Sequence, residues 1–326
     1  MKVMLNPNEI LKDKIVQAGG FVNAHAHLDR AYTLTELDME KIVYKDLKDK
    51  WGVIDQYKHS TSTDGFERNI VKALSKQKEM GTTGVISFID IDYVVAFKAL
   101  WAAKRAKEFA RDNGIVFKVA SQTLKGVVNK QCEAMLHMAL DNGFVDIIGS
   151  LPSADEDEEK HLDIIFGLAK KYNKPVHVHV DQLNTQAEKQ TEMLAKKTIE
   201  HGWEGKVTAI HAISLSCHPK FYRRQIYRIS RLAGLNFVCC PTAWIDHRRT
   251  EELTPNHNAI TPVEEMLEND LLVALGTDNI HDIYKPFSDG NMMTELRFLL
   301  EALHIYNYDE LVKIATTNGR KLIDAA

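Results

Sequence analysis

Residues 271–278 read Leu-Leu-Val-Ala-Leu-Gly-Thr-Asp: five apolar side chains in a row, a glycine, a threonine and then an acid. A strand with one wet face alternates apolar and polar residues, whereas a strand covered on both faces is apolar throughout, as in parallel sheets sheathed by helices. The same signature recurs upstream. Short β-rich runs occupy 20–25, 84–89, 115–121, 144–150, 175–180, 206–211 and 235–240, and apart from the first interval their starts lie 29 to 36 residues apart. That beat fits a strand, a loop and a helix of three to four turns. Helical apolar spacing fills the gaps at Phe66–Met80, Val94–Asn113, Lys130–Asn142 and Glu158–Tyr172, and Gly81, Gly114 and Gly143 follow the first three. Glycine just past a helix accepts the positive φ that ends it. Eight strand–helix units in strict alternation predict an α/β fold of the closed (β/α)8 type, a TIM barrel. The rival is an open doubly wound sheet, but no G-x-G-x-x-G follows the first strand to support its nucleotide-binding form.

The first interval is 64 residues, about 30 more than one unit of such a barrel needs. The excess, roughly 32–64, follows strand one and should sit at the C-terminal mouth, as a lid or as a helix against the wall. The expected organisation is an N-terminal extension over 1–20 and one barrel over 21–326. Lys and Arg total 41 against 45 Asp and Glu, for a net charge of −4. Duplex binding calls for a basic excess, so no nucleic-acid partner is expected. No apolar run approaches the roughly 18 residues that span a bilayer, and the first eleven residues lack a secretory apolar core. Cys132, Cys217, Cys239 and Cys240 form no C-x-x-C pair, which suits the reducing cytoplasm.

In a parallel barrel the site lies at the C-terminal strand ends. Four of these carry histidine or aspartate. Strand one ends in Asn23-Ala24-His25-Ala26-His27-Leu28-Asp29, strand five reads His177-Val178-His179-Val180-Asp181, strand six ends at His211, and strand eight runs into Asp278-Asn279. Residues two apart on a strand share a face, so each H-x-H pair can aim at one point. A lone H-x-H means little. Four strand ends facing one mouth predict a metal site, and imidazole with carboxylate suits zinc, iron or manganese.

At these residues the chain resembles the amidohydrolase superfamily, in its cytosine deaminase-like branch. The resemblance runs from Phe21 to Ile323 through HAHLD (25–29), PVHVHVD (175–181), VTAIHA (207–212), LNFVCCPTAWIDHR (235–248), ITPVEEMLEND (260–270) and GTDNIHDIYKPFSDGNM (276–292). It implies that His25, His27, His179 and Asp278 hold one divalent metal, Zn or Fe with Mn as a further option. It implies catalytic roles for Asp278, which would carry the proton of the attacking water, and for His211, which would polarise the substrate or shuttle protons. Relatives often assemble, so a homo-oligomer is a possible state.

Three departures shape the expected activity. Family deaminases place a glutamate three residues after the strand-five histidine, and this chain has Gln182. An amide holds a substrate by hydrogen bond but delivers no proton. Ring deamination needs two proton deliveries, whereas hydrolysis of an amide or lactam can run on Asp278 alone. After strand three the branch carries glutamine-glutamate-glycine, where this chain has Leu124-Lys125-Gly126. Lys125 would face an anionic substrate or simply be solvated. Only about 20 residues precede strand one, so the β-sandwich that flanks many relatives' barrels is not expected. Asn279, His247 and Trp244 are further candidate substrate contacts. Arg248 and Arg249 could meet a carboxylate or lie exposed. His177 reads as a deeper core residue, and Asp29 as a support for backbone or a ligand. His59, His137, His161, His201, His218, His257, His281 and His304 read mostly as surface. The expected function is metal-dependent hydrolysis of a non-peptide C–N bond in a small cyclic or amide substrate. Amino-heterocycle deamination is the close rival, and a non-catalytic, metal- or ligand-binding barrel the alternative of another class.

Overall fold

Strand and helix alternate eight times in the computed structural model, which describes residues 6–42, 45–243 and 258–326. The strands are β1 (Phe21–Ala26), β2 (Thr82–Asp90), β3 (Val116–Gln122), β4 (Ile148–Ser150), β5 (Val176–Val180), β6 (Val207–His211), β7 (Asn236–Cys239) and β8 (Leu272–Leu275). All pairings are parallel, in the orders β1-β2-β3 and β4-β5-β6-β7-β8. Two single bridges close the ring, Ala120 to Ile147 and Ala26 to Asp278. The barrel is therefore the predicted (β/α)8 cylinder. β4 is shorter than the expected 144–150 run because Asp146 interrupts it. The Asp146 carboxylate accepts from the Val119 N–H at 2.8 Å and pairs with Lys107 at 2.7 Å, while the N–H groups of Asp146 and Ile147 both donate to the Val119 carbonyl.

The helices form where the apolar period and the caps agree. Thr63–Glu79 starts where the Ser62 hydroxyl accepts from Gly65 N–H, and it buries Phe66, Ile70, Ala73 and Leu74. Glu158–Tyr172 matches its predicted bounds and is capped by Asp157. The expected helix from Val94 begins instead at Lys98, because Asp92 captures the Val94 and Val95 N–H groups in a turn. Inside the barrel, Val22, Ala24, Ile86, Phe88, Ala120, Ile147, Ile210 and Val238 form a buried apolar plug.

The long first connection contains the helices Glu36–Ile42 and Leu47–Ser60. It packs across the mouth. Ile42, Leu47 and Ile54 share a buried cluster with Leu124, Leu151, Ile283 and Tyr284, residues that follow β3, β4 and β8. Lys58, 1% exposed, pairs with Asp90 at 2.9 Å and Asp92 at 2.7 Å at the end of β2. The Lys98 ammonium donates to the carbonyls of Lys58, His59 and Thr61 and so closes the end of the second helix. Among the described residues no helix is long and apolar enough to cross a membrane.

Candidate metal centre

The upper end of β1 is irregular. Its register against β2 shifts between Asn23 and Ala26, and His27 already lies outside the strand, ahead of the 3-10 turn Leu28–Arg30. This bulge, rather than simple two-residue alternation, brings both imidazoles to one place. β8 reaches them through Gly276. A Cβ there would lie 2.8 Å from His25 Cβ and 2.9 Å from the His25 carbonyl oxygen, so glycine allows the approach. Thr277 and Asp278 then donate their N–H groups to that carbonyl at 3.1 and 2.9 Å. Asp278 takes φ +60° and His211 φ +73°.

Five side chains converge. His25 Nε2 and His27 Nε2 each lie 3.2 Å from Asp278 Oδ1. Ring centres are 4.8 Å apart for His25 and His179, 5.2 Å for His25 and His211, and 5.3 Å for His179 and His211. Two overlapping triads result, His25 with His27 and Asp278, and His25 with His179 and His211, each with donor atoms within 4.8 Å of one another. The predicted ligand set is thus brought together, with His211 as close to the centre as His179. His177 is buried one layer below.

Burial holds the imidazoles of His27 and His179 well below their ordinary value, lowers that of His25, and takes those of His177 and His211 to about 3. Burial also pushes the Asp278 carboxyl up, but the contacts with His25 and His27 outweigh it, and the acid ends well below its ordinary range. The result is four neutral imidazoles around a carboxylate, the protonation state in which these groups are ligands.

The donor set fits a divalent cation. With metal–ligand bonds of about 2.0–2.1 Å, neighbouring ligand atoms of a tetrahedron are about 3.3 Å apart. The two 3.2 Å contacts to Asp278 match that edge. His179 Nδ1 lies 3.3 Å from the Ser150 carbonyl, and donating there leaves the Nε2 lone pair free. His27 is different. Arg30 Nη2 sits 2.8 Å from His27 Nδ1, and a guanidinium only donates. A cation on His27 Nε2 therefore requires Arg30 to draw back, or the ring to bind with neither nitrogen protonated.

The amidohydrolase family model matches residues 18–324. The chain belongs to the amidohydrolase family. It is a hydrolase of the amidohydrolase type, a class acting on carbon–nitrogen bonds other than peptide bonds. A Haemophilus influenzae protein described as uncharacterized is 40% identical over 261 residues, 79% of this chain and 94% of that protein. The N-isopropylammelide isopropyl amidohydrolase of Pseudomonas sp. (strain ADP) is 27% identical, covering 96% of this chain and 77% of that enzyme. Among solved structures, the 5-methylcytosine deaminase of Klebsiella pneumoniae liganded with 5-fluorocytosine superposes with a TM-score of 0.83 at 23% identity, over 94% of this chain and 74% of that one.

Around the amidohydrolase centre lies a pocket of about 30 Å³, lined by His27, His179, His211 and Asp278 together with Arg30, Leu47, Trp51, Gln122, Leu124, Leu151, Gln182, Asn279 and Tyr284. Gln182 and Asn279 thus line the same pocket as the candidate ligands. Lys125 does not take the expected role. Its ammonium pairs with Asp55 of the helix over the mouth at 2.5 Å, because the long connection brings an acid to the loop after β3. Trp244, His247, Arg248, Arg249 and His257 lie outside the described residues. Two of the histidines read as surface are buried. His161 bridges Asp155 at 2.7 Å and Ser150 Oγ at 2.8 Å, and so supports the residue whose carbonyl faces His179. His218 Nε2 lies 2.8 Å from the Glu188 carbonyl. His161 was missed because helical periodicity places a residue on a face but does not say what covers that face, and His218, between the turn Ile213–Cys217 and the helix Lys220–Leu232, carries no periodic signal.

Sequence reasoning also missed Arg30, Asp90, Lys285 and Trp51, while Asp282, a candidate for substrate contact or for capping the next turn, accepts from the Tyr284 and Lys285 N–H groups. Arg30 pairs with Asp90 at 3.2 Å, and Lys285, fully buried, donates to the Thr277 carbonyl and lies 3.5 Å from Glu295. The one available signal was acids at a strand end, Asp90 and Asp92 closing β2. Glu188 does not replace the acid missing at position 182. Its carboxylate accepts from Leu183 N–H and Ser214 Oγ, both at 2.7 Å, and burial raises it to about 8. It lines an adjoining cavity of about 840 Å³, which shares Leu47, Trp51 and Gln182 with the metal pocket.

Proposed function

We propose that the chain is a metal-dependent hydrolase that cleaves a non-peptide C–N bond of a small cyclic or amide substrate. The observation that carries this reading is the meeting of His25, His27, His179, His211 and Asp278, all buried, at one mouth. His25, His27, His179 and Asp278 would hold one divalent cation, zinc or iron, with manganese as a further option. Such a cation supplies Lewis acidity and lowers the pKa of water from about 15.7 to about 7. Asp278, kept ionised, accepts the proton of the attacking water and returns it to the departing nitrogen. His211, neutral and beside the centre, hydrogen-bonds the substrate oxygen or nitrogen on which charge develops. Gln182 and Asn279 orient the substrate. Trp244 and His247 are candidate contacts on sequence grounds, whereas the Lys125 ammonium is paired with Asp55.

The pocket has room for one or two waters. Leu47, Trp51 and Gln182 line both this pocket and the larger cavity beside it. Gln182 favours amide or lactam hydrolysis over ring deamination, for want of a second proton donor at that position. Four free thiols, two of them the adjacent and buried Cys239 and Cys240, fit a cytoplasmic enzyme.

The test is turnover by protein reconstituted separately with Zn, Fe and Mn, on lactams, ureas, N-acyl compounds and aminopyrimidines. Metal-dependent release of ammonia or amine is expected. No turnover at stoichiometric metal, or equal turnover after chelation, overturns the reading.

A further inference from the structure

Lys285 is fully buried, and the proposed chemistry makes no use of its charge. Its ammonium donates to the Thr277 carbonyl and lies 3.5 Å from Glu295. Glu295 belongs to the helix Met292–Leu303 and accepts from the N–H and the hydroxyl of Thr242, beyond β7, at 3.1 and 2.7 Å. Sinking such an ion pair away from water costs free energy that apolar side chains of similar size would not. A pair kept at that cost calls for a role other than bulk stability.

The ammonium acts on one peptide group. The Thr277–Asp278 peptide has its carbonyl on Lys285 and its N–H on the His25 carbonyl at 2.9 Å. The residue before it is held as well. Thr277 N–H donates to Asn23 Oδ1 at 3.1 Å, and Asn23 Nδ2 donates to Thr277 Oγ1 at 2.8 Å. Lys285 is itself anchored, its N–H donating to Asp282 Oδ1 at 3.1 Å. With both of its polar ends pinned, the peptide keeps Asp278 at φ +60°, an angle that carries strain for a residue with a Cβ. Freed of these bonds, the peptide can rotate and relax the angle. The acid then loses its fixed place 3.2 Å from His25 Nε2 and His27 Nε2.

We propose that Lys285 is a positioning residue of the metal centre: with Glu295 as its counter-ion, it fixes the Thr277–Asp278 peptide and thereby holds the Asp278 carboxylate in place as a ligand. The inference rests on the reading of Asp278 as a metal ligand and goes beyond it, since neither Lys285 nor Glu295 lines the metal pocket.

Metal-free protein is titrated with Co(II), whose visible bands report the ligand set without need of a substrate. Lys285→Met and the double variant Lys285→Met/Glu295→Gln are compared, the second leaving no unpaired buried charge. Each is made in the wild-type and in the Asp278→Ala background. In the wild-type background both should lose about tenfold or more in Co(II) affinity, the range for residues that support a ligand, and their bands should move toward those of Asp278→Ala. In the Asp278→Ala background the same changes should cost less than about twofold, because a residue that acts through another has nothing left to act on. Equal losses in the two backgrounds overturn the proposal, as does unchanged affinity in the double variant. Failure of both variants to fold also overturns it, by assigning the pair to the fold alone. Unchanged affinity in Asp278→Ala itself is a different failure: it overturns the reading of Asp278 as a ligand, and this inference with it.

Discussion

The two rims of the barrel solve the same backbone problem with different residues. On the lower rim every turn into a strand passes through a positive φ. Glycine takes it at six turns, Gly114 at +68° among them, and Asn173 at +47° and Asp270 at +58° take the other two. These are the residue types that tolerate the left-handed region at least cost. At the upper ends of β5, β6 and β8 the positive φ values fall on Asp181 at +51°, His211 at +73°, Ala212 at +51° and Asp278 at +60°, while Gly126 and Gly290 take them farther out in the loops of the same rim. Two of these, Asp278 and His211, are the proton carrier and the substrate-polarising residue of the proposed mechanism. A turn that only has to turn uses the residue with the lowest conformational cost. A turn that must present a side chain keeps the side chain and bears the strain, which the surrounding structure sustains.

The sharpest break of that contrast is Asp278→Asn. Asparagine also tolerates a positive φ, so the turn should survive while the proton acceptor is lost. We expect kcat to fall by about 10³-fold, within the range attributed to general acid–base groups, with the melting temperature nearly unchanged. Steady-state kinetics at matched metal content decide it, and a variant keeping a tenth of wild-type activity would remove Asp278 from proton transfer.

A smaller effect separates the rims by pH. Burial takes His177 and His211 to about 3 in the folded chain, against about 6.5 when unfolded. The unfolded chain therefore binds more protons between these values, so stability is full above about 6.5 and is lost as pH falls toward 3. Melting temperature measured from pH 7.5 to 4 on chelator-treated protein should decline, and His177→Gln should flatten the decline. An unchanged slope would show that these imidazoles do not govern acid stability.

The smallest effect belongs to the lower rim. Nothing lies within 4 Å of where a Gly114 Cβ would stand, so Gly114→Ala meets backbone strain alone. A cost of about 1–2 kcal/mol follows, lowering the melting temperature by a few degrees while kcat is retained. A fall in kcat at full metal occupancy would show that the rims are coupled.

Much of this was legible beforehand for identifiable reasons. Strand burial is written in runs such as Leu271–Leu275 because both faces are covered, and helix ends are written in glycine because few residues accept the angle. The ligand candidates were legible because barrel geometry sends every strand end to one mouth. Lys125, His161 and His218 were misread, and Trp51 and Gln122 overlooked, for one shared reason. Each depends on what a distant segment lays over it: Asp55 over Lys125, Ser150 and Asp155 beside His161, the Glu188 backbone beside His218, and the long first connection over the pocket.

The sequence by itself determined the cylinder, its rims and the set of imidazoles and acid that meet there, because apolar period and strand-end position are local properties that repeat. Only the tertiary structure decided that the first connection crosses the mouth and that Lys125 pairs with Asp55. Those outcomes depend on contacts between residues far apart in the chain, and no local pattern encodes which of them will be paired and which left open.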